Sequence, residues 1–357
     1  MGLSGYILWP FTLIYYLITR FRNHLYDIGY KKSFQFQTRV ICVGNLSVGG
    51  TGKTPMIEYL ISLLKSSYKI VTLSRGYKRK TKGFRIVTDM DNPNTVGDEP
   101  WQFYQKFSPD IGVAVGEERA LAIPQILFEQ EGTGLILLDD GFQHRTVKSN
   151  LNILVTEFSN PFFTDHPLPS GRLREPRLGA NRANIVVVTK SPPDLDEKRM
   201  EDFTGKINRY YSGTNIYFSG IKYLDPQPIF GSDMEISQNI LAFSGLGNPR
   251  HFESYLDQQY NLIDSMRFQD HHQYSYKTIE IIKKRFSAID GVDKCLITTE
   301  KDMVKLKNFE KDLSGLPLFY IPIEFYFLKD GKGFDNKVKK MLHSISIDSN
   351  SIDESDI

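Results

Sequence analysis

Between Leu3 and Thr19 the chain carries no charged residue. Leu17, Phe21, Leu25 and Ile28 then continue one apolar stripe at helical spacing, with Arg20, Arg22, Asn23, His24 and Asp27 on the other faces. The pattern predicts a helix whose uncharged part, interrupted by Pro10, is about 26 Å long, slightly short of a ~30 Å hydrocarbon core. Downstream, short aliphatic runs at residues 39–44, 70–73, 111–115, 135–138, 153–155 and 185–188 alternate with helical stretches, one of them at 55–64. This is the spacing of an α/β, doubly wound, mostly parallel sheet. A further strand at 215–221 precedes a Pro/Gly/Asp-rich crossing at 225–237. Runs at 240–243, 261–268, 294–297 and 318–323, with a helix at 275–286 whose N-cap candidate is Asp270, then predict a second, smaller α/β unit. No internal repeat has a fixed period. The expected organisation is a membrane-anchoring helix over 1–30, a first domain over 31–224, a smaller one over 225–343 and an acidic, disordered tail over 344–357.

Composition changes this picture in one respect. Lys and Arg number 44 against 42 Asp and Glu, yet the first 88 residues hold 14 basic and two acidic side chains, Asp27 and Glu58. The N-terminal quarter therefore faces something negative. With 40% hydrophobic and 24% charged residues, the 357-residue chain is ordinary globular material, which excludes wholesale disorder, collagen and a multi-span membrane protein. Cys42 and Cys295 each sit in a short apolar run, as small buried hydrophobes of a reducing, cytoplasmic protein, and no Cys/His spacing suggests zinc.

The N-terminal helix has three readings. A secretory signal lacks its basic start and its small-residue cleavage site here. A buried core helix remains the plain alternative. Arg20, Arg22, Lys31 and Lys32 just downstream favour contact with an anionic, cytoplasmic membrane face, by an interfacial or tilted anchor.

The strand at 39–44 runs into Ser47-Val48-Gly49-Gly50-Thr51-Gly52-Lys53-Thr54, a Walker A loop between a strand and a helix, with Pro55 suited to the helix's first turn. Glycines let backbone N–H groups wrap phosphates, Lys53 reaches the β/γ-phosphates, and the Thr54 hydroxyl can ligate Mg²⁺. Ser47 departs from the usual first glycine. Leu135 to Leu138 followed by Asp139 and Asp140 matches a Walker B strand, either carboxylate being able to hold Mg²⁺ directly or through water. Where a GTPase would carry Asn-Lys-x-Asp, Val188-Thr189-Lys190-Ser191-Pro192 ends in a proline that cannot accept hydrogen bonds from guanine, so ATP is the expected nucleotide.

Taken singly, Gly97-Asp98-Glu99-Pro100 reads more as a solvated turn than as a site, while Gly141-Phe142-Gln143-His144-Arg145 follows the Walker B acids without interruption, so Gln143 and His144 are expected to project from the C-terminal edge of the sheet. Taken in order, G-N-L-S-V-G-G-T-G-K-T-P (44–55), S-R-G-Y (74–77), G-D-E-P (97–100), D-D-G-F-Q-H (139–144), L-P-S-G-R-L-R-E-P (168–176), F-Q-D-H-H (268–272) and T-T-E-K-D (298–302) closely resemble the tetraacyldisaccharide 4′-kinase family of lipid A biosynthesis. The resemblance spans about residues 3–330. It implies a P-loop domain and a smaller α/β domain joined by a short β linker, with ATP between them and γ-phosphate transfer to the 4′-hydroxyl of a lipid A disaccharide precursor at the cytoplasmic face of the inner membrane. It assigns nucleotide binding to residues 47–54, including Lys53, and Mg²⁺ binding to Thr54 with Asp139 and Asp140. Asp98 would activate the sugar hydroxyl with His271 as partner, His272 being adjacent and not excluded. Arg119, Gln143, His144, Arg174 and Glu175 would lie at the substrate or phosphate site. Glu99 either raises the Asp98 pKa by like-charge repulsion or positions a metal-bound water. Arg75, Lys78, Arg79, Lys80 and Lys82 are candidates to meet the phosphorylated lipid. The alternatives are a membrane-associated kinase of another glycolipid or isoprenoid alcohol, and a non-kinase P-loop ATPase. Neither a nucleic-acid partner nor an obligate protein partner is expected.

Overall fold

The computed structural model describes residues 3–231, 235–291 and 293–345. Part of the 225–237 crossing and the acidic tail from residue 346 lie outside the described residues. A nine-stranded sheet runs in the order Ile323–Phe327, Ile216–Tyr223, Ile185–Thr189, Leu151–Glu157, Arg39–Gly44, Leu135–Asp139, Ile70–Ser74, Gly112–Val115 and Arg85–Ile86. Its inner pairings are parallel and both edge strands are antiparallel. Strands covered on both faces need no polar alternation, and here the period of two divides each strand between two cores. Ile41, Val43, Leu135 and Leu137 enter one; Val40, Cys42, Ile136 and Leu138 enter the other.

The smaller sheet has five strands in the order Asn261–Arg267, Asn239–Ser244, Cys295–Thr299, Leu318–Ile321 and Gln227–Pro228. The helix Tyr276–Ser287 covers one face through Ile279, Ile282 and Phe286, and Arg250–Gln259 covers the other through Phe252 and Leu256. The N-cap of Tyr276–Ser287 is Ser275, whose side chain accepts from the Thr278 amide, and not the expected Asp270. Asp270 lies five residues too early because the chain from His272 to Ser275 is not yet helical.

The smaller unit does not run to residue 343. After Pro322 the chain returns to the large sheet, where Ile323–Phe327 pairs antiparallel with Ile216–Tyr223. The helix Gly331–His343 then buries Phe334, Val338 and Leu342 in the first core. Tyr59, Phe325, Phe327 and Phe334 form the aromatic cluster that draws it back, with centroid separations of 4.4 to 6.0 Å.

The N-terminal helix, Leu3–Asp27, is amphipathic in the reverse sense. Its polar residues face the protein: Thr12 Oγ1 accepts from the Ser170 amide at 3.1 Å, Tyr15 donates to the Arg174 carbonyl at 2.9 Å, Arg22 to the Gln143 carbonyl at 2.6 Å and Asn23 to Glu175 at 2.8 Å. Trp9, Phe11, Leu13, Ile14, Leu17, Ile18 and Phe21 point outward and are exposed. Among the described residues no helix is long and apolar enough to cross a membrane.

Candidate active site

The strand Arg39–Gly44 ends at the carboxyl edge of the large sheet, and the helix Lys53–Leu64 begins directly after the loop. That loop is pinned from several elements. Asn45 Nδ2 donates to Thr51 Oγ1, Thr189 Oγ1 to the Thr51 carbonyl and Lys190 Nζ to the Gly50 carbonyl, each at 2.7 Å. The Ser-Pro end that disqualifies a guanine reader thus follows residues that brace the phosphate loop. Gly52 sits at φ 84°, where a side chain would be strained and its Cβ would lie 3.2 Å from Thr189. Ser47 and Thr51 are buried, while Val48, Gly49 and Gly50 are exposed and Lys53 and Thr54 half-buried. A helix N-terminus whose first amides lack intrahelical partners and face an open glycine loop is an anion site.

The two carboxylates at the end of Leu135–Asp139 have opposite environments. Asp140, at φ 53°, is clasped by Arg174 through bonds of 2.7 and 2.8 Å, and Lys53 Nζ lies 3.6 Å away. Burial would raise its pKa, but Lys53 and Arg174 outweigh it and hold the carboxyl far below the usual range. Asp139 is buried and, among the described residues, its side chain accepts only from Ser74 Oγ, at 3.3 Å. Burial pushes its pKa up to about 7, opposed by Lys53 and reinforced by Glu99 and Asp140. A buried carboxylate whose burial outweighs the Lys53 and Arg119 charges suits a hard divalent cation. Among the described residues no group of three or more His, Cys, Asp or Glu could hold a metal alone. Magnesium would depend on Asp139, Thr54 and phosphate oxygens, its ordinary mode beside nucleotides.

Asp98 opens the helix Asp98–Phe107, placed there by Gly97 at φ 97°, where a side chain would be strained and its Cβ would lie 3.1 Å from the Gly76 backbone. Three residues of the smaller unit converge on it. His271 Nδ1 lies 3.1 Å and Lys305 Nζ 2.7 Å from Oδ2, and Gln273 Nε2 lies 3.4 Å from Oδ1. Burial alone would raise the Asp98 carboxyl, but the His271 hydrogen bond and the Lys305 ammonium hold it below its ordinary range. The helix N-terminus acts in the same direction. Like-charge repulsion from Glu99 therefore does not govern Asp98, because two donors sit closer. Glu99 instead lies 3.7 Å from His271 Nε2 and 4.0 Å from Lys301 Nζ.

His271, at φ 58°, is the histidine that reaches Asp98. His272 stacks on Phe268 with centroids 4.5 Å apart and meets Thr278 Oγ1 at 3.4 Å, a packing role. Lys305 has no sequence motif of its own. Its signal was the preceding T-T-E-K-D: Thr299 caps the helix Glu300–Leu306, and buried Asp302 binds the Gly245 amide at 2.8 Å and Thr299 Oγ1 at 2.8 Å. That helix carries Lys305 one turn further, under Asp98.

The residues expected at the substrate side divide. Arg119 is fully buried and donates to the Gly116 carbonyl at 2.7 Å, and its Nε has no partner among the described residues. Burial lowers its pKa to about 10, opposed by Asp139 and Asp140, so it faces that pair as a cation. His144 is half-buried and its pKa falls to about 4 through burial and the Arg119 charge, which keeps the ring neutral. Gln143 and Glu175 are engaged elsewhere: Gln143 Nε2 donates to the Asn45 carbonyl at 2.9 Å and to Glu175 at 2.8 Å, and Glu175 also accepts from Asn23 and Arg182. They fasten the N-terminal helix to the phosphate loop. Arg79, grouped above with the lipid-facing cations, is paired with Glu117 at 2.6 Å with its side chain 2% exposed, since the 76–83 turn folds back on that carboxylate.

A family model described as tetraacyldisaccharide-1-P 4′-kinase matches residues 5–343. The chain is 44% identical to the tetraacyldisaccharide 4′-kinase of Flavobacterium johnsoniae over 94% of its own length and 96% of the relative's. It is 40% identical to the enzyme of that name from Bacteroides thetaiotaomicron over 90% and 89%. A crystal structure of LpxK from Aquifex aeolicus in complex with ATP is similar over 95% of this chain and 100% of that one, with a TM-score of 0.74 and 29% identity.

Proposed function

The chain belongs to the tetraacyldisaccharide 4′-kinase family, and from that premise we propose how its own residues carry the reaction. It is an ATP-dependent kinase that transfers the γ-phosphate to the 4′-hydroxyl of tetraacyldisaccharide 1-phosphate in lipid A biosynthesis. The observation that supports the residue assignments best is the pairing of an open phosphate loop with a buried Asp98 held ionised by His271 and Lys305. Phosphoryl transfer through a loose transition state is mostly alignment and charge neutralisation. The amides of residues 47–54 and Lys53 hold the phosphates. Thr54 and Asp139 would hold Mg²⁺, which when bound would supply neutralisation of phosphate charge. Asp140 positions Lys53 and Arg174. Asp98 accepts the proton of the sugar hydroxyl, and His271 orients it. Arg119 and His144 face the acceptor side. The direct test incubates folded protein with labelled ATP, Mg²⁺, detergent and the disaccharide 1-phosphate; absence of transfer would sink the assignment, and transfer to isoprenoid alcohols instead would favour the other kinase reading.

Lys305 acts as a positioning residue. Replacing it with methionine leaves the upward push of burial on Asp98 less opposed, so the carboxylate protonates at higher pH. The acidic limb of the kcat–pH profile is expected to move upward, kcat at neutral pH to fall about tenfold and KM for ATP to hold. Lys305→Arg should restore the profile. Among the described residues, Asp302, Glu99, Lys301, His271 and Tyr274 are other charged or titratable groups around Asp98, and an unmoved limb in Lys305→Met would remove Lys305 from this role.

The outward apolar side of Leu3–Asp27 supports an interfacial anchor at the inner membrane. Deleting residues 1–19 is expected to abolish sedimentation with phospholipid vesicles and to leave ATP binding unchanged. Retained sedimentation would exclude the helix as the anchor.

A further inference from the structure

Past the N-terminal helix the chain turns back over the loop that follows Asp139 and Asp140, and the two segments enclose a cleft of about 640 Å³. Its walls are stitched together. Ser33 Oγ donates to the Arg145 carbonyl at 2.6 Å, the Phe34 amide to the Thr146 carbonyl at 2.8 Å and the Lys148 amide to the Phe34 carbonyl at 2.8 Å. Lys31, Lys32, His144, Arg145, Lys148 and Arg182 line it, and no Asp or Glu does. Two of these cations are fixed in place: Arg145 by the Asn23 carbonyl and Asp27, Arg182 by the Phe142 carbonyl and Glu175. Lys31, Lys32 and Lys148 form no salt bridge with any described residue.

His144 is neutral, so the charge in this cleft comes from Lys31, Lys32, Arg145, Lys148 and Arg182 and is all positive, and its position is equally specific. It lies where the outward apolar side of the helix ends, flanked by Phe21, Ile28, Tyr30 and Phe34, which are 51 to 78% exposed. If those side chains enter the acyl boundary, the cleft stands at headgroup depth. Unpaired ammonium groups there meet phosphate, and a preformed concave wall gives them a shape that a flat basic patch lacks.

We propose that this cleft binds the phosphate of an anionic glycerophospholipid headgroup of the membrane through Lys31, Lys32 and Lys148, which take no part in phosphoryl transfer, His144 being the one side chain it shares with the acceptor side. The proposal rests on the membrane-contact reading above, and a headgroup held here would fix the depth and rotation of the enzyme at the bilayer. The same lipid-phosphate chemistry is present in the acceptor's own 1-phosphate, so the test separates the two sources.

The full chain is titrated with dihexanoyl phosphatidylglycerol below its micellar concentration, with and without the disaccharide 1-phosphate. Saturable binding is expected that the acceptor does not displace, and the combined Lys31→Glu, Lys32→Glu and Lys148→Glu variant should bind about 100-fold more weakly. Displacement by the acceptor would assign the cleft to the substrate phosphate and overturn the proposal, as would equal binding by the variant with its circular dichroism unchanged. Sedimentation with phosphatidylglycerol vesicles is measured in parallel. If the chain fails to sediment but binds the short-chain lipid, the membrane-contact reading fails and the cleft assignment stands. If it sediments and the monomer does not bind, the cleft assignment fails alone.

Discussion

Asp98→Ala is expected to lower kcat about 1,000-fold with little change in KM for ATP, because it removes the group placed to accept the sugar hydroxyl's proton and touches nothing in the phosphate loop. The variant also strands Lys305, whose side chain is 4% exposed and whose next carboxylate, Asp302, lies 4.0 Å away. Breaking a buried pair in this way costs about 3 kcal/mol. Two effects are thus superposed, and Asp98→Asn separates them. The amide keeps the shape and an oxygen for Lys305 but cannot take a proton, so it should recover most of the stability and none of the rate. Turnover in Asp98→Asn near that of the unaltered enzyme would remove the carboxylate from the mechanism. A non-kinase ATPase would tolerate both changes while hydrolysing ATP without an acceptor. In the unaltered protein Asp98, with its folded-state pKa lowered, contributes stability that is present above the unfolded pKa and lost as pH falls through the folded one.

Much of this site could be read along the chain because its parts are local. A phosphate loop needs its strand, glycines and helix within a dozen residues, and Asp139 with Asp140 marks a strand end by adjacency alone. What stayed hidden depends on packing between distant segments. Lys305 is one lysine on a short helix until Glu300–Leu306 is laid against Asp98–Phe107, where Lys106 also binds Glu58 and Glu300 at 2.7 Å each. The return of Ile323–Phe327 to the large sheet was masked by the uninterrupted apolar run into it from Leu318, in which only Pro322 marks the break. The outward apolar side of the N-terminal helix could be suspected from its composition. That Thr12, Tyr15, Arg22 and Asn23 are its inward side could not, since their partners come from residues 143–175. Gln143 and Glu175 share this explanation: their side chains form a helix-fastening network whose partners are distant in sequence.

Lys53→Ala should cost about 1,000-fold in kcat and leave the fold intact. The ammonium is half-buried and 3.6 Å from Asp140, yet Asp140 keeps two bonds to Arg174 when Lys53 is gone. No buried charge is left alone, so the melting temperature should hold within a few degrees. The loss falls instead on the nucleotide, whose β/γ-phosphates lose the one cation on the phosphate loop itself. Arg174 cannot replace it, because its guanidinium is already spread between Asp140 and Asn45. Lys53→Arg should recover little, since a bulky planar fork does not fit where a compact ammonium projects from the first residue of a helix. Arg174→Ala makes the complementary prediction. Asp140 would then draw Lys53 toward itself and away from the phosphates, so this variant should mimic Lys53→Ala in rate. If Arg174→Ala proved nearly silent while Lys53→Ala did not, Asp140 would have no part in aiming Lys53, and the division of the carboxylate pair into one that positions and one that binds metal would fall.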